Sequence, residues 1–179
     1  DVVICDSQAI LKVAADVPRS IKTTTFSILF ARQKGDLAAA AAGAAAIDSL
    51  KPGDRILIAE ACSHHALEDD IGRVKIPRWL RQYVGAEIRA DVFAGRDYPE
   101  NLSDYKLIIH CGACMLNRRE MLSRIQKARE AGVPITNFGV AISMLQGVIK
   151  RSLEPFPAAL LAFERQLNAR DAGRRAMQT

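Results

Sequence analysis

The stretch Lys106–Arg119, KLIIHCGACMLNRR, decides how the rest of the chain is interpreted. Its apolar run, Leu107–Ile109, is typical of a short buried strand. The run ends in His-Cys-Gly-Ala-Cys at positions 110–114. Asn117, with a glutamate three positions later, then predicts the start of a helix. We therefore expect two thiols and an imidazole at a strand-to-helix turn, where backbone N–H groups and the helix dipole favour negative charge.

A second apolar run, Arg55–Ala59, ends in a similar group of side chains. Cys62, His64 and His65 follow it within six residues. The combined pattern is Cys-x-His, a gap of 45 residues and then His-Cys-x-x-Cys, and the two clusters together hold all three histidines and three of the four cysteines. Core residues scattered by chance would rarely sort in this way. The pattern therefore predicts a metal site, and Cys5, the remaining cysteine, is expected to be a small buried strand residue.

The composition is that of an ordinary globular protein of 179 residues, about half apolar and a quarter charged. No apolar run approaches the roughly 18 residues of a transmembrane helix, and no secretory signal is visible. The formal net charge of +5 is modest, and the basic residues lack the interleaved aromatics of single-strand nucleic-acid binders. We therefore expect a reducing, cytoplasmic location with no membrane or nucleic-acid partner. The cysteines are expected to serve metal or redox chemistry, not a disulfide framework.

Strand-like and helix-like segments alternate along the chain. The predicted strands cover residues 2–5, 23–30, 55–61, 86–93, 106–110 and 133–136. This alternation predicts an α/β fold of two small domains, each a mostly parallel sheet flanked by helices. In parallel sheets ligands collect at the carboxyl ends of the strands, where both clusters of thiols and imidazoles are expected.

The turn at residues 51–54, Lys-Pro-Gly-Asp, predicts a boundary between a domain of residues 1–53 and a domain of residues 54–179. About fifty residues are too few for an independent core. The first domain is therefore expected to pack against the second or against another copy of itself, which suggests a homodimer.

Asp36 is expected to cap a helix over residues 37–50. The middle of this helix consists of eight alanines interrupted only by Gly43. Such small side chains suit a close approach to another backbone. Two placements stay open at this point: a core helix that covers a sheet, and a helix at a subunit contact.

Several kinds of metal or thiol site are compatible with the cysteine pattern. Cysteine and histidine at this spacing can close a tetrahedral zinc site, although there are more than four candidate ligands. Cys111 and Cys114 at a strand-to-helix turn are also typical of a low-pKa redox dithiol, which leaves Cys62 without a role. A c-type haem is excluded because no histidine follows the second cysteine. Three thiolates fit best a [4Fe–4S] cluster with one iron open to exchange.

The full pattern resembles a known family. It combines Cys-x-His at residues 62–64, Ile-Gly-Arg-Val-Lys-Ile-Pro at 71–77, His-Cys-x-x-Cys at 110–114 and Asn-Arg-Arg-Glu at 117–120. These motifs are similar to those of HydF, the [FeFe]-hydrogenase maturation GTPase family, and the resemblance extends over the whole chain.

The resemblance implies that residues 1–53 are a dimerisation domain and residues 54–179 a [4Fe–4S] cluster-binding domain. It further implies a homodimeric scaffold that receives a two-iron precursor with CO and cyanide ligands and delivers it to the apo-hydrogenase, alongside radical-SAM maturation partners. The family also has a GTP-binding domain, but this sequence contains no GxxxxGK[ST] phosphate loop. GTP binding and turnover are therefore expected only in a domain missing from this chain, and this fragment is expected to perform no turnover.

The resemblance also assigns site residues. It implies that Cys62, Cys111 and Cys114 are the cluster ligands. It places His64 and His110 in the same site, with one of two roles. In the first role they ligate the fourth iron or hydrogen-bond one of its ligands. In the second role they do not touch the metal and orient the neighbouring thiolates.

Other residues near the motifs are weaker candidates. An acidic stretch, Glu68-Asp69-Asp70, is a possible source of an oxygen ligand for the fourth iron, as is solvent. His65 is one residue out of step with His64 and is expected to point away. Arg73, Lys75 and Arg78 are expected either to compensate the charge of an anionic guest or to be ordinary surface charge.

Overall fold

The computed structural model describes residues 1–61, 69–95 and 98–176. The strands within them are β1 (Val2–Cys5), β2 (Lys22–Thr25), β3 (Arg55–Ala59), β4 (Arg89–Phe93), β5 (Leu107–His110) and β6 (Ile135–Asn137). The α-helices are α1 (Ile10–Asp16), α2 (Phe26–Lys34), α3 (Leu37–Ala44), α4 (Ile76–Val84), α5 (Arg118–Glu130), α6 (Phe138–Leu145), α7 (Ile149–Leu153) and α8 (Pro157–Ala176). A 3₁₀ turn, Ala45–Ser49, continues α3, and a π-helical turn, Ile71–Lys75, leads into α4.

The strands form two parallel sheets. Strands β1 and β2 make a two-stranded sheet, and the larger sheet has the strand order β4-β3-β5-β6. Helices flank both sheets, which confirms the predicted α/β class. In the larger sheet Ala59 of β3 lies opposite His110 of β5. The carboxyl ends of these two strands are therefore neighbours, as parallel pairing requires.

The prediction of a strand over residues 23–30 was wrong after Thr25. The strand ends there because the Thr25 hydroxyl accepts a hydrogen bond from the Ile28 N–H at 3.3 Å and caps α2. Phe26 and Phe30 then lie one helical turn apart on an exposed face of α2. The β-branched and aromatic composition of this stretch favours a strand, but the threonine cap starts a helix instead.

The alanine-rich helix α3 is a core helix. Its Ala41 and Ala44 are fully buried, and a Cβ placed on Gly43 would lie 2.0 Å from the carbonyl oxygen of Ile135 in β6. The expected close approach to another backbone is therefore made to the chain's own sheet. Of the two placements left open, this supports the helix that covers the sheet.

The amino-terminal segment shares its core with the rest of the chain. Ile10 and Ile28 are fully buried in the same hydrophobic cluster as Val140 of α6. Asn137 also donates from its side-chain amide to the carbonyl of Ser27 at 2.8 Å. These contacts fit the expectation that a segment this short packs against the rest of the chain. Across the part of the chain that the structure describes, no helix has both the length and the hydrophobicity to cross a bilayer.

Candidate metal site

The structure describes part of the predicted site. His110, Cys111 and Cys114 are described, as are Asp69 and Asp70. The predicted site residues outside the described ranges are Cys62, His64, His65 and Glu68. Within residues 1–61, 69–95 and 98–176, no three His, Cys, Asp or Glu side chains are grouped in a way that would hold a metal ion.

The exit of β3 and the Cys-x-x-Cys turn meet at the carboxyl edge of the larger sheet. The backbone N–H of Cys111 donates to the carbonyl of Ala59 at 2.8 Å. In the other direction, the N–H of Ala61 donates to the Cys111 sulfur at 3.1 Å. Ala61 directly precedes Cys62 in the sequence. Strand pairing therefore brings Ala61, the residue before the Cys-x-His segment, to the first cysteine of the Cys-x-x-Cys turn.

The Cys-x-x-Cys turn wraps around the Cys111 sulfur. Ala113 has a left-handed backbone conformation, with φ 55°, which is uncommon for a residue with a side chain. Its N–H is a second donor to the Cys111 sulfur, at 3.5 Å. Hydrogen bonds from backbone N–H groups favour a thiolate over a thiol. Cys114 is exposed at the end of the turn.

Helix α5 begins directly after the turn, as predicted. The Asn117 side-chain oxygen accepts a hydrogen bond from the N–H of Glu120 at 2.9 Å and caps the helix. The Leu116 N–H donates to the carbonyl of Ala113 at 3.1 Å. The helix start therefore fixes the turn from one side and places the positive end of the helix dipole near it.

His110 is fully buried behind the turn. Its Nε2 lies 3.0 Å from Nη1 of Arg124, and its Nδ1 lies 2.9 Å from the carbonyl oxygen of Cys111. Because a guanidinium can only donate, Nε2 accepts and Nδ1 carries the proton that is donated to the carbonyl. Burial lowers the pKa of His110 to about 4, so the ring is neutral at pH 7.

Both ring nitrogens of His110 are thus engaged by the protein. The ligand role predicted for His110 stays a prediction. The contacts favour the alternative role, in which the imidazole supports the backbone that carries the neighbouring thiolate.

Arg124 is a residue that sequence reasoning missed. It is only 4% exposed, and Nη2 donates to the carbonyl of Gly95 at 2.7 Å. Its guanidinium carbon lies 5.2 Å from the centre of the Tyr98 ring. A signal was present in the sequence, because Arg124 falls at helical spacing among the apolar residues Met121 and Ile125 of α5.

Glu60, at the exit of β3, was also missed. It is 1% exposed, and its Oε2 accepts from Nη2 of Arg73 at 2.8 Å and from Nε at 3.1 Å. A Cβ on Gly72 would lie 3.0 Å from the other carboxylate oxygen and 2.7 Å from the ring of Phe138, so any other residue there would displace these side chains. The pair ties the end of β3 to the π-helical turn that precedes α4. A carboxylate next to a predicted ligand loop was the available signal.

The predicted basic rim is largely paired within the protein. Arg73 binds Glu60, and Lys75 donates to the Gln8 side chain at 2.8 Å and lies 3.7 Å from Asp69. Arg78 is exposed on α4. Compensation of an anionic guest by these residues stays a prediction.

The parallel α/β fold, with thiols at the carboxyl edge of the larger sheet, is that of a candidate metal-binding protein. A family model described as the hydrogen maturase F tetramerization domain matches residues 38–155. A second, the hydrogen maturase F dimerization domain, matches residues 1–35. No curated protein matches the chain. Because the first match alone covers more than half of the sequence, the chain belongs to the hydrogen maturase F family.

Family membership confirms the resemblance drawn from the motifs. It supports a role in hydrogenase maturation and self-association of the chain. The two models meet between residues 35 and 38. The boundary predicted at residues 53 and 54, and the ligand set, stay predictions.

Proposed function

We propose that this chain is an iron–sulfur scaffold in the maturation of [FeFe]-hydrogenase. Cys62, Cys111 and Cys114 bind a [4Fe–4S] cluster, and the fourth iron keeps an exchangeable position. The cargo is a two-iron precursor that carries CO and cyanide, and the chain transfers it to the apo-hydrogenase. The protein acts as a homodimer or larger assembly in the cytoplasm, with radical-SAM partners, and GTP turnover belongs to a domain missing from this chain.

One contact carries this proposal. The N–H of Ala61 donates to the Cys111 sulfur at 3.1 Å, although the two residues are 50 positions apart. The residue that follows Ala61 is Cys62, and adjacent Cα atoms are about 3.8 Å apart. A ligand set drawn from both sequence clusters is therefore compatible with the fold.

The donor chemistry of the turn fits an iron–sulfur cluster. Thiolates are the ligands that such clusters prefer. The Cys111 sulfur accepts from the N–H groups of Ala61 and Ala113, and such hydrogen bonds stabilise a negatively charged sulfur. When bound, a cluster of this type supplies an iron with an open coordination position. The chain's own residues hold the thiolates in place and keep His110 neutral behind them.

The candidates for the fourth position differ in availability. His110 has both ring nitrogens engaged. Asp70 accepts a hydrogen bond from the N–H of Arg73 at 2.8 Å, as the cap of the π-helical turn. Asp69 is exposed, with its side chain 80% accessible. His64, Glu68, Asp69 and solvent are therefore the candidates that this proposal keeps.

Anaerobic purification followed by iron, sulfide and zinc analysis tests the proposal. We expect about four irons and four sulfides per chain, with the absorption of a [4Fe–4S] cluster. Cys111→Ser is expected to abolish most of this content. Cys5→Ser is the matched control, because Cys5 is half-buried in β1 and donates to the carbonyl of Thr24.

Other outcomes identify other functions. One zinc per chain without sulfide, and unfolding on chelation, would indicate a structural zinc module. A colourless protein whose Cys111 and Cys114 form a reversible disulfide, with Cys62 dispensable, would indicate a thiol–disulfide oxidoreductase. Activation of apo-hydrogenase by protein loaded with the two-iron precursor then tests the transfer step separately.

A further inference from the structure

The guanidinium of Arg124 is a buried cation whose contacts with described residues are all neutral. Only 4% of the residue is exposed. Its contacts are the Nε2 of His110, the carbonyl of Gly95 and the face of Tyr98. Within residues 1–61, 69–95 and 98–176, no carboxylate pairs with it. A buried charge is costly unless an opposite charge compensates it.

A second buried arginine in the described part of the chain shows one way in which the fold compensates such a charge. Arg151 is 8% exposed and donates to the carbonyls of Ala14, Val17 and Pro18, at the carboxyl end of α1. The last carbonyls of a helix carry partial negative charge and attract a cation. Arg124 has no helix end of this kind, since the carbonyl that it contacts, Gly95, follows strand β4.

Arg124 is connected to the predicted site by one side chain. It donates to His110, and His110 donates through Nδ1 to the carbonyl oxygen of Cys111. The relay therefore ends on the backbone of the cysteine whose sulfur receives the N–H of Ala61. A cation at this place favours negative charge at the turn.

We propose that Arg124 is a positioning residue and the buried counter-charge of an anionic cluster held at the Cys111 turn, acting through a neutral His110. The inference rests on the proposed cluster-binding function. Three thiolates and a [4Fe–4S] core carry net negative charge, and reduction by one electron adds one more. A fixed cation nearby therefore stabilises the reduced form more than the oxidised form.

The midpoint potential of the reconstituted cluster tests this inference. Arg124→Gln removes the charge, and we expect a more negative potential while the iron content stays at about four per chain. Arg124→Lys keeps the charge and is expected to return most of the way to the wild-type potential. Arg129→Gln is the matched control, because Arg129 lies on the same helix, has a side chain 63% exposed and pairs with Asp36 at 3.8 Å.

Each result decides the matter. A potential of Arg124→Gln equal to that of Arg129→Gln overturns the counter-charge role. A shift in Arg124→Lys as large as in Arg124→Gln assigns the effect to geometry and also overturns it. If Arg124→Gln does not fold, Arg124→Met, which also removes the charge, takes its place in both comparisons. Failure of the wild-type protein to bind any cluster contradicts the proposed function instead, and metal analysis detects that before the variants are made.

Discussion

The ammonium of Lys34, at the end of α2, donates to the carbonyl oxygen of Cys114 at 3.0 Å and to that of Ala113 at 3.3 Å. Arg118, in the first turn of α5, donates in the opposite direction, to the carbonyls of Gln33 at 2.7 Å and Gly35 at 3.2 Å. Lys34, Gln33 and Gly35 belong to the region matched by the dimerization model, and the Cys-x-x-Cys turn belongs to the region matched by the tetramerization model. The segment matched by the dimerization model and the Cys-x-x-Cys turn are therefore in direct contact within one chain.

Lys34→Met should loosen the Cys-x-x-Cys turn and leave the fold intact. Two carbonyls of the turn lose their charged donor. Hydrogen bonds from charged groups are stronger than neutral ones, but water can replace the ammonium in part, so we expect the turn to lose about 1 kcal/mol of stability. About 1 kcal/mol corresponds to about a fivefold change in rate or equilibrium. Iron release from the reconstituted protein to a chelator should therefore be about fivefold faster.

Lys127→Met is the control for this variant. Lys127 is exposed on α5 and lies away from the turn. Its iron release should match that of the wild-type protein. Equal release rates for Lys34→Met and Lys127→Met would mean that the contact with Cys114 does not stabilise the site.

Local patterns were sufficient to predict the secondary structure around the Cys-x-x-Cys turn. The apolar run Leu107–Ile109 and the cap Asn117 defined the strand, the turn and the helix correctly, because all three are set by residues within one turn of each other. The parallel arrangement then placed Ala59 and His110, the last residues of β3 and β5, side by side at one sheet edge. Such features depend on short-range chemistry and on sheet topology.

The partners of the turn were not predictable in this way. Lys34 contacts Cys114 across 80 residues, and Arg124 meets His110 across 14. Nothing in the local sequence of Lys34 separates it from an ordinary surface lysine. Arg124 did interrupt an apolar stripe, but a stripe gives no information about the side chain that an arginine will meet. Tertiary packing decides these contacts.

Gly43→Ala should strongly destabilise the protein. The new Cβ would lie 2.0 Å from the carbonyl oxygen and 2.5 Å from the carbonyl carbon of Ile135, so α3 must move away from β6. Overpacking of this kind costs about 1–3 kcal/mol or more. Gly173→Ala is the control, because Gly173 lies in α8 with open space around its Cβ position. There alanine should stabilise the helix by up to about 1 kcal/mol, so urea unfolding should move the two midpoints in opposite directions.

Asp91→Asn should reduce the dependence of stability on acid pH. The hydrogen bond from Arg55, at 2.7 Å, and that from Tyr105, at 3.1 Å, hold the pKa of Asp91 below its ordinary value of 3.8. Because the folded-state pKa is the lower one, Asp91 contributes stability above that ordinary value. This contribution is lost as the pH falls through the folded-state pKa.

The size of the Asp91 contribution is under about 1 kcal/mol, since the side chains of Asp91 and Arg55 are both more than a third exposed. Between about pH 5 and pH 2, the free energy of unfolding should therefore fall less steeply for Asp91→Asn than for the wild type. Asp104→Asn serves as the control, because its carboxylate lies 3.7 Å from Arg55, beyond hydrogen-bond distance. An unchanged pH profile for Asp91→Asn would show that the pair contributes nothing.

Substitution of Arg73 should lower the free energy of unfolding more than substitution of Glu60, its partner in a buried ion pair. Arg73→Met leaves a carboxylate whose side chain is 2% exposed without its cation, and we expect a loss of about 2–4 kcal/mol. Glu60→Gln removes the buried charge and leaves Arg73, with a third of its side chain exposed, to water, so the loss should be about 1 kcal/mol. The double variant should be more stable than Arg73→Met alone, because the neutral amide no longer needs a counter-ion. Urea unfolding of the three variants measures all three values, and a double variant less stable than Arg73→Met would contradict a charge-based role for the pair.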